Sequence, residues 1–181
     1  ETYHGMPRED LLEFCRDADL YINLSGGSWF WRDEYRMNAA IADYPKPVVA
    51  FMQGFVMGGG VGVGGHAAHR IVGDTTRIAM PESGIGLIPD VGGSWLLGRA
   101  PGRIGEYLAL TGDRMGPGDA IHAGFADSYL PEAEWPSLIE DLERTGDATR
   151  IVGVAPPSAP GTSHGKHAAT YASCLFTLPV S

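Results

Sequence analysis

The sequence is poor in cysteine, in basic residues and in long apolar runs, and each shortage excludes a class of protein. Two cysteines among 181 residues, Cys15 and Cys174, provide no disulfide framework and fit a reducing compartment, so we predict a cytoplasmic protein. Thirteen basic residues stand against 22 acidic ones, giving a net charge of −9. With no basic block, we expect neither nucleic acid nor a membrane surface as a partner. No apolar run approaches the ~18 residues that a membrane-spanning helix needs.

Glycine, by contrast, is abundant and clustered. The 26 glycines concentrate near residues 54–65 and 84–105, which indicates special backbone geometry rather than low complexity. The stretch 57–90 begins with a glycine triplet and ends with two carboxylates, Glu82 and Asp90. Glycines that open a helix leave N–H groups available to an anion, and a nearby carboxylate supplies a base or a nucleophile. This stretch therefore predicts a site that stabilises an oxyanion.

The pattern of apolar residues predicts an α/β fold in which helices alternate with strands. We expect a loop at 81–93 and little regular structure after Asp147, because proline and glycine dominate both. Helices are predicted at 7–18, 29–44, 61–68, 94–100, 104–110, 119–123 and 132–144, and strands at 20–24, 47–52, 70–72, 76–79 and 126–130.

Two motifs suggest cofactors that the rest of the sequence does not support. Gly60, Gly62 and Gly65 match the dinucleotide pattern G-x-G-x-x-G, but the predicted strand–turn–strand that follows is unlike a dinucleotide-binding fold. His66 and His69 have H-x-x-H spacing without a converging set of cysteines or carboxylates, so we expect no zinc. We predict no cofactor.

Several strings are similar to the crotonase (enoyl-CoA hydratase/isomerase) superfamily, within it to the 3-hydroxyisobutyryl-CoA hydrolase branch. They are WRDEYRMN (31–38), MGGGVG (57–62), AMPE (79–82), IGLIPDVGGS (85–94) and DAIHAGFADSYLP (119–131), and the similarity covers roughly residues 29–145. The resemblance implies a spiral of ββα units with outer helices, here in shortened form. Residues 1–28 do not match and are either foreign or a substitute for the usual turn, and residues 146–181 form an atypical tail.

Three positions select the branch. The residue two after the glycine triplet is a catalytic glutamate in hydratases of the superfamily, and here it is Gly62. Glu82 stands at the second acidic position of the superfamily. Asp90 stands where hydratases usually carry glycine and where the hydrolase branch has aspartate. Compared with a hydratase of the superfamily, this sequence lacks the glutamate at position 62 and has an additional aspartate at position 90. The resemblance therefore implies a hydrolase.

The resemblance also assigns roles to individual residues. Gly59 resembles the N–H donor of an oxyanion hole, and Glu82 and Asp90 resemble the catalytic pair. A turn at Ser25 and Gly26 would supply the second donor. The residues implied in substrate binding are Glu34, Gly58, Ser25 and Gly26.

Each acidic residue also has an ordinary structural interpretation. Glu82 would be a solvated turn residue, and Asp90 would cap the helix that begins near residue 93. Glu34 would be an exposed charge or an ion-pair partner of a neighbouring arginine.

The implied activity is hydrolysis of an acyl-CoA thioester, most specifically 3-hydroxyisobutyryl-CoA of valine breakdown, with CoA as part of the substrate. Two alternatives stay open: an enoyl-CoA hydratase/isomerase, and a non-catalytic module that binds acyl-CoA or another protein. The oligomeric state is also open, with a homo-oligomer among the options.

Overall fold

The computed structural model describes residues 2–3, 6–7 and 31–156. Several predicted segments lie outside the described residues: most of the helix 7–18, the strand 20–24, residues 29–30 and the tail from 157 onward. Pro7, predicted to begin that helix, instead lies in a strand, β2. The described strands are β1 (Thr2–Tyr3), β2 (Met6–Pro7), β3 (Val49–Met52), β4 (Phe55–Met57), β5 (His69–Val72), β6 (Arg77–Ala79) and β7 (Ser128–Tyr129). The described α-helices are α1 (Trp31–Ala42), α2 (Gly59–Gly64), α3 (Gly93–Arg99), α4 (Ile104–Thr111), α5 (Pro117–His122) and α6 (Trp135–Thr145), and the 3₁₀ helices are Glu82–Ile85, Glu132–Glu134 and Ala148–Arg150.

The strands form a repeated ββ pattern in which each turn of chain stacks on the one before. Strand β3 pairs in parallel with β5, which pairs in parallel with β7, while β4 pairs in parallel with β6 in a separate sheet. The two strands of one turn thus pair with the two strands of the next. This arrangement confirms the α/β spiral that the resemblance implied.

The sequence predictions fail mainly at strand β4 and at the start of α2. No strand is predicted at Phe55–Met57, yet these residues form a short strand paired with β6. Its pattern is hard to recognise because it has three residues and its first side chain is 66% exposed. Helix α2 begins at Gly59 rather than at residue 61, so Gly59 and Gly60 of the triplet lie in the helix and Gly58 is its N-cap.

The apolar side chains divide into two clusters. The larger one packs α2, α3, α4 and α5 against one side of the sheets, with Val61, Ile78, Met80 and Phe125 almost fully buried. The smaller one joins β3, β5 and α6, where the Phe51 and Trp135 rings meet edge to face, their centroids 5.2 Å apart.

The register of β4 and β6 determines which loops become neighbours. Met57 pairs with Ala79, so the two strands end side by side. The chain leaving β4 enters Gly58, and the chain leaving β6 enters Met80 and Pro81 on the way to Glu82. Parallel pairing therefore places the glycine turn and Glu82 at the same edge of the small sheet.

Within the described part of the chain, no helix is both long and apolar enough to cross a membrane.

Candidate active site

A sharp turn at Gly58 connects β4 to α2. Gly58 has φ 49° and ψ −119°, a conformation that a side chain would strain. Its carbonyl accepts from the N–H groups of Val61 at 2.8 Å and of Gly62 at 3.1 Å, which begins the helix. The N–H groups of Gly59 and Gly60 precede these first bonds and have no acceptor inside the helix.

Glu82 lies against this turn. Its side chain is only 6% exposed, and a Cβ at Gly58 would lie 3.3 Å from Glu82 Oε1. Its Oε2 is buried and has no hydrogen-bond partner among the residues that the structure describes. Burial is the main cause that raises the pKa of Glu82; a backbone hydrogen bond lowers it by less, and the charge of Asp90 adds a still smaller increase. The interpretation of Glu82 as a solvated turn residue is therefore wrong.

Glu34 reaches the same turn from helix α1. It is 7% exposed, and a Cβ at Gly59 would lie 2.5 Å from Glu34 Oε1. The absence of a side chain at Gly59 is thus what allows this carboxylate to approach the start of α2. The interpretation of Glu34 as an exposed charge is wrong.

Asp90 lies in the loop before α3 and is half-buried. Its carbonyl accepts from Gly93 N–H at 2.5 Å, and a Cβ at Gly93 would lie 2.3 Å from Met80 Cε, so this loop packs on the segment that leads to Glu82. The N-cap of α3 is Gly92, and no side chain caps that helix, so the prediction of Asp90 as its cap is wrong. Asp90 is instead close enough to Glu82 for its charge to act on the pKa of that carboxyl.

The space beside Gly62, where a hydratase would carry its glutamate, is filled. A Cβ at Gly62 would lie 2.7 Å from both Asn38 Nδ2 and Val91 Cβ. Asn38 and Val91 are 4% and 1% exposed, so neither can move aside into solvent. The structure therefore leaves no room for a larger side chain at position 62, where the resemblance would put the glutamate of a hydratase.

The structure assigns contacts that the sequence did not indicate. His66 Nε2 lies 2.8 Å from the Val91 carbonyl oxygen, and the side-chain amide of Asn38 lies 3.3 Å from the same oxygen. The sequence marked His66 only as part of an H-x-x-H pair, and nothing in the local pattern around residue 91 predicted its role. Among the residues that the structure describes, no group of three or more histidines, cysteines and carboxylates is placed to hold a metal.

Of the seven predicted site residues, five are described. Glu34, Glu82 and the turn Gly58–Gly59 lie together, with Asp90 close by. Ser25 and Gly26 lie outside the described residues.

Comparison with known proteins supplies the family. The family model for enoyl-CoA hydratase/isomerase matches residues 13–171. The chain is 49% identical over 136 residues to a Xenopus tropicalis protein named 3-hydroxyisobutyryl-CoA hydrolase, mitochondrial, covering 71% of this chain and 35% of that protein. It is 39% identical over 143 residues to an Arabidopsis thaliana protein named probable 3-hydroxyisobutyryl-CoA hydrolase 3, covering 75% and 38% respectively. The chain thus spans little more than a third of the length of these curated relatives.

Solved structures agree on the fold. A crystal structure titled enoyl-CoA hydratase from Rhodobacter sphaeroides 2.4.1 is 57% identical with a TM-score of 0.73, covering 82% of this chain and 42% of that one. A structure titled carnitinyl-CoA dehydratase from Mycobacterium thermoresistibile is 42% identical with a TM-score of 0.71, covering 82% and 48%.

The predicted cytoplasmic location is contradicted. The relatives from Xenopus tropicalis, Gallus gallus and Danio rerio, at 45–49% identity, are all named as mitochondrial proteins. The prediction rested on two cysteines without a disulfide framework, and thiols of that kind fit any reducing compartment, so cysteine content could not select one.

The fold, the neighbouring structures and the match over residues 13–171 agree on one assignment. The chain belongs to the enoyl-CoA hydratase/isomerase family.

Proposed function

We propose that this protein hydrolyses an acyl-CoA thioester, and that 3-hydroxyisobutyryl-CoA is its substrate. The observation that carries the proposal is the position of Glu82, whose buried carboxylate lies against the Gly58 turn with one oxygen unpaired among the described residues. Buried side-chain oxygens are nearly always hydrogen-bonded, so an unpaired one beside a glycine turn is suited to meet a substrate or a water. The names of the relatives from Xenopus and Arabidopsis support this choice of thioester.

In the proposed reaction, Glu82 acts at the thioester carbonyl. As a general base it takes a proton from water, the oxygen of that water attacks the carbonyl carbon, and the C=O electron pair moves onto oxygen. The tetrahedral intermediate then collapses, the C–S bond breaks, and the CoA thiolate takes up the proton. As a nucleophile, Glu82 would instead attack the carbonyl carbon directly, and the C–S bond would break with departure of the CoA thiolate to leave a mixed anhydride. Water would then hydrolyse this anhydride, releasing the acid and restoring the Glu82 carboxylate. Both routes require Glu82 to be deprotonated.

The oxyanion of that intermediate needs donors, and we propose the Gly59 N–H as one of them. It lies at the start of α2, where no carbonyl of that helix can accept from it. Because residue 59 is glycine, no side chain of that residue stands beside the N–H. One such donor contributes roughly 3–4 kcal/mol to stabilising an acyl-transfer transition state. In the family the second donor comes from a glycine-rich turn upstream, and we propose that the Ser25 N–H beside Gly26 takes its place.

We propose that Asp90 orients the attacking water or the substrate hydroxyl, because it is close enough to Glu82 to influence its charge. Glu34 and Gly58 would line the substrate side of the turn, since both lie within contact distance of Gly59 or Glu82. No cofactor is part of the proposal, since CoA belongs to the substrate. If 3-hydroxyisobutyryl-CoA is the substrate, the protein acts in valine breakdown. A homo-oligomer is compatible with this function.

Enoyl-CoA hydration is the second candidate, because the structural relative from Rhodobacter sphaeroides is titled an enoyl-CoA hydratase. Hydration in this family uses two glutamates, and by resemblance one of them would stand at position 62. Gly62 has no carboxylate, and Asn38 and Val91 occupy the adjoining space. These contacts favour hydrolysis over hydration.

The proposal is tested by presenting purified protein with 3-hydroxyisobutyryl-CoA and with a short enoyl-CoA in parallel. We expect release of free CoA thiol from the first, followed with a thiol reagent, and no loss of the enoyl absorbance from the second. Loss of enoyl absorbance without thiol release would favour hydration. CoA binding with neither reaction would favour the non-catalytic module.

The pH dependence of the reaction should report the environment of Glu82. Because Glu82 must be ionised and its pKa is raised, kcat/KM should fall with decreasing pH at values above the ~4.3 of an ordinary glutamate. In Asp90→Asn one cause of the raised pKa is gone, so the acidic limb should move to lower pH while kcat also falls. The profile is measured with the thiol assay, with circular dichroism at each pH to show that the protein stays folded. An acidic limb at the same pH in both proteins would mean that the two carboxylates do not interact.

A further inference from the structure

The loop that carries Asp90 contains an unusual backbone conformation. Val91 has φ 48° and is followed by Gly92 with φ 76°. A β-branched residue with positive φ is strained, and such strain persists only where surrounding contacts enforce it. Val91 is 1% exposed and packs beside Gly62, so the strained residue is fully enclosed.

His66 contacts this strained segment directly. Its Nε2 lies 2.8 Å from the Val91 carbonyl oxygen. A carbonyl can only accept, so Nε2 carries the proton and donates. The same ring covers Gly92, where a Cβ would lie 2.4 Å from Nε2. The imidazole therefore contacts this loop at both Val91 and Gly92.

Asn38 is a weaker candidate for the same task. Its Nδ2 is 3.3 Å from the Val91 carbonyl, but with the amide turned over it donates to the carbonyls of Gly62 at 2.9 Å and Glu34 at 3.3 Å instead. His66 is the donor that the Val91 carbonyl keeps in either orientation of that amide.

The hydrogen bond from His66 to Val91 connects helix α2 with the loop that carries Asp90. His66 follows α2 directly, and α2 begins at Gly59, the proposed oxyanion donor. The bond from His66 to Val91 thus ties the far end of α2 to the residue that follows Asp90. The oxyanion turn and Asp90 are held in one frame, although they lie about thirty positions apart in the chain.

We propose that His66 is a positioning residue for the hydrolase reaction. It holds the Val91 carbonyl and so aims Asp90 at the water or hydroxyl beside Glu82. This inference rests on the proposed function, and it assigns His66 neither metal binding nor proton transfer to the substrate.

The test replaces His66 by phenylalanine, which keeps a ring over Gly92 but has no donor, and by glutamine, whose Nε2–H can reach the same carbonyl. His66→Phe should lower kcat by about 10- to 100-fold, with KM changed little, because a small displacement of a reacting group costs up to about 10²-fold. His66→Gln should recover most of that loss. His122→Phe, on the exposed end of α5, is the matched control and should retain the parent kcat.

A second comparison separates positioning from general destabilisation. In an Asp90→Asn background, His66→Phe should lower kcat by about twofold at most, the limit of additivity error, because the group that His66 positions is already gone. Equal losses in both backgrounds, or parent kcat in His66→Phe, would overturn the inference while leaving the proposed function intact. If His66→Phe does not fold, the pair His66→Gln and His66→Asn replaces it, since asparagine is too short to reach Val91. Absence of thiol release by the parent protein would remove the proposed function and this inference together.

Discussion

Glu82→Gln is expected to lower kcat for thioester hydrolysis by a factor of about 10²–10⁴, the usual contribution of a positioned base, and more if Glu82 is a nucleophile. The substitution keeps the shape of the side chain in its buried position against Gly58 but removes the charge that both chemical routes need. The measurement is thiol release under saturating substrate, with KM determined alongside. Because the change is nearly isosteric, KM should shift much less than kcat.

The same variant should not lose stability. The raised pKa of Glu82 means that folding disfavours its charged form, because burial and the charge of Asp90 both act against ionisation. The stabilising contribution of such a group is present below its unfolded pKa and is lost as pH rises through the folded pKa. At neutral pH glutamine removes this cost, so the melting temperature should be unchanged or higher. Glu143→Gln, on the exposed side of α6, is the matched control for both measurements and should alter neither.

A fall in melting temperature for Glu82→Gln would mean that the carboxylate stabilises the fold through a partner, which is a structural role. Full activity in the variant would exclude Glu82 from the reaction and remove the proposed function.

Gly62→Glu is expected to destabilise the protein and to yield no hydratase activity, although it restores the acid that hydratases carry at this position. A Cβ at residue 62 would already lie 2.7 Å from Asn38 Nδ2 and from Val91 Cβ. Forcing extra atoms into a packed interior costs typically 1–3 kcal/mol, and a buried carboxylate without a partner adds to that. The free energy of unfolding is measured by denaturant titration, and the enoyl absorbance follows any hydration.

Gly62→Ala separates the steric cost from the charge. At an unobstructed helix position alanine is favoured over glycine by about 1 kcal/mol, so any loss of stability reports the clash with Asn38 and Val91. Gly98→Ala on α3 is the matched control, because a Cβ added there would meet no atom of the described residues within 4 Å, and it should be neutral or stabilising. Equal stabilisation by both alanines would show that the space beside Gly62 is open. A glutamate would then fit at position 62, and the lack of one would not be explained by packing.

The helices illustrate how much of the fold local pattern can predict. Residues 31–42, 93–99 and 104–111 form helices within one or two positions of the predicted ends, because proline, glycine and the 3.6-residue repeat act within a few residues. Strand β4 was missed because its three residues carry almost no periodicity, and only pairing with β6 makes Phe55–Met57 a strand.

The candidate site divides in the same way. The residue types at positions 59, 62, 82 and 90 pointed to thioester hydrolysis through family resemblance, since those chemical groups are written in the sequence itself. What the sequence could not indicate is the contact of Glu34 with the Gly59 turn, because the two lie on different elements and meet only after packing.

The sequence by itself determined the chemical groups, the alternation of helices and strands, and the family, since each depends on residue identity or on neighbours along the chain. Only the tertiary structure decided that the Glu82 carboxylate lies buried against Gly58, because the Met57–Ala79 register brings the two strand ends together. It also decided that the room beside Gly62 is filled by Asn38 and Val91, since volume exclusion between distant segments exists only in the packed state.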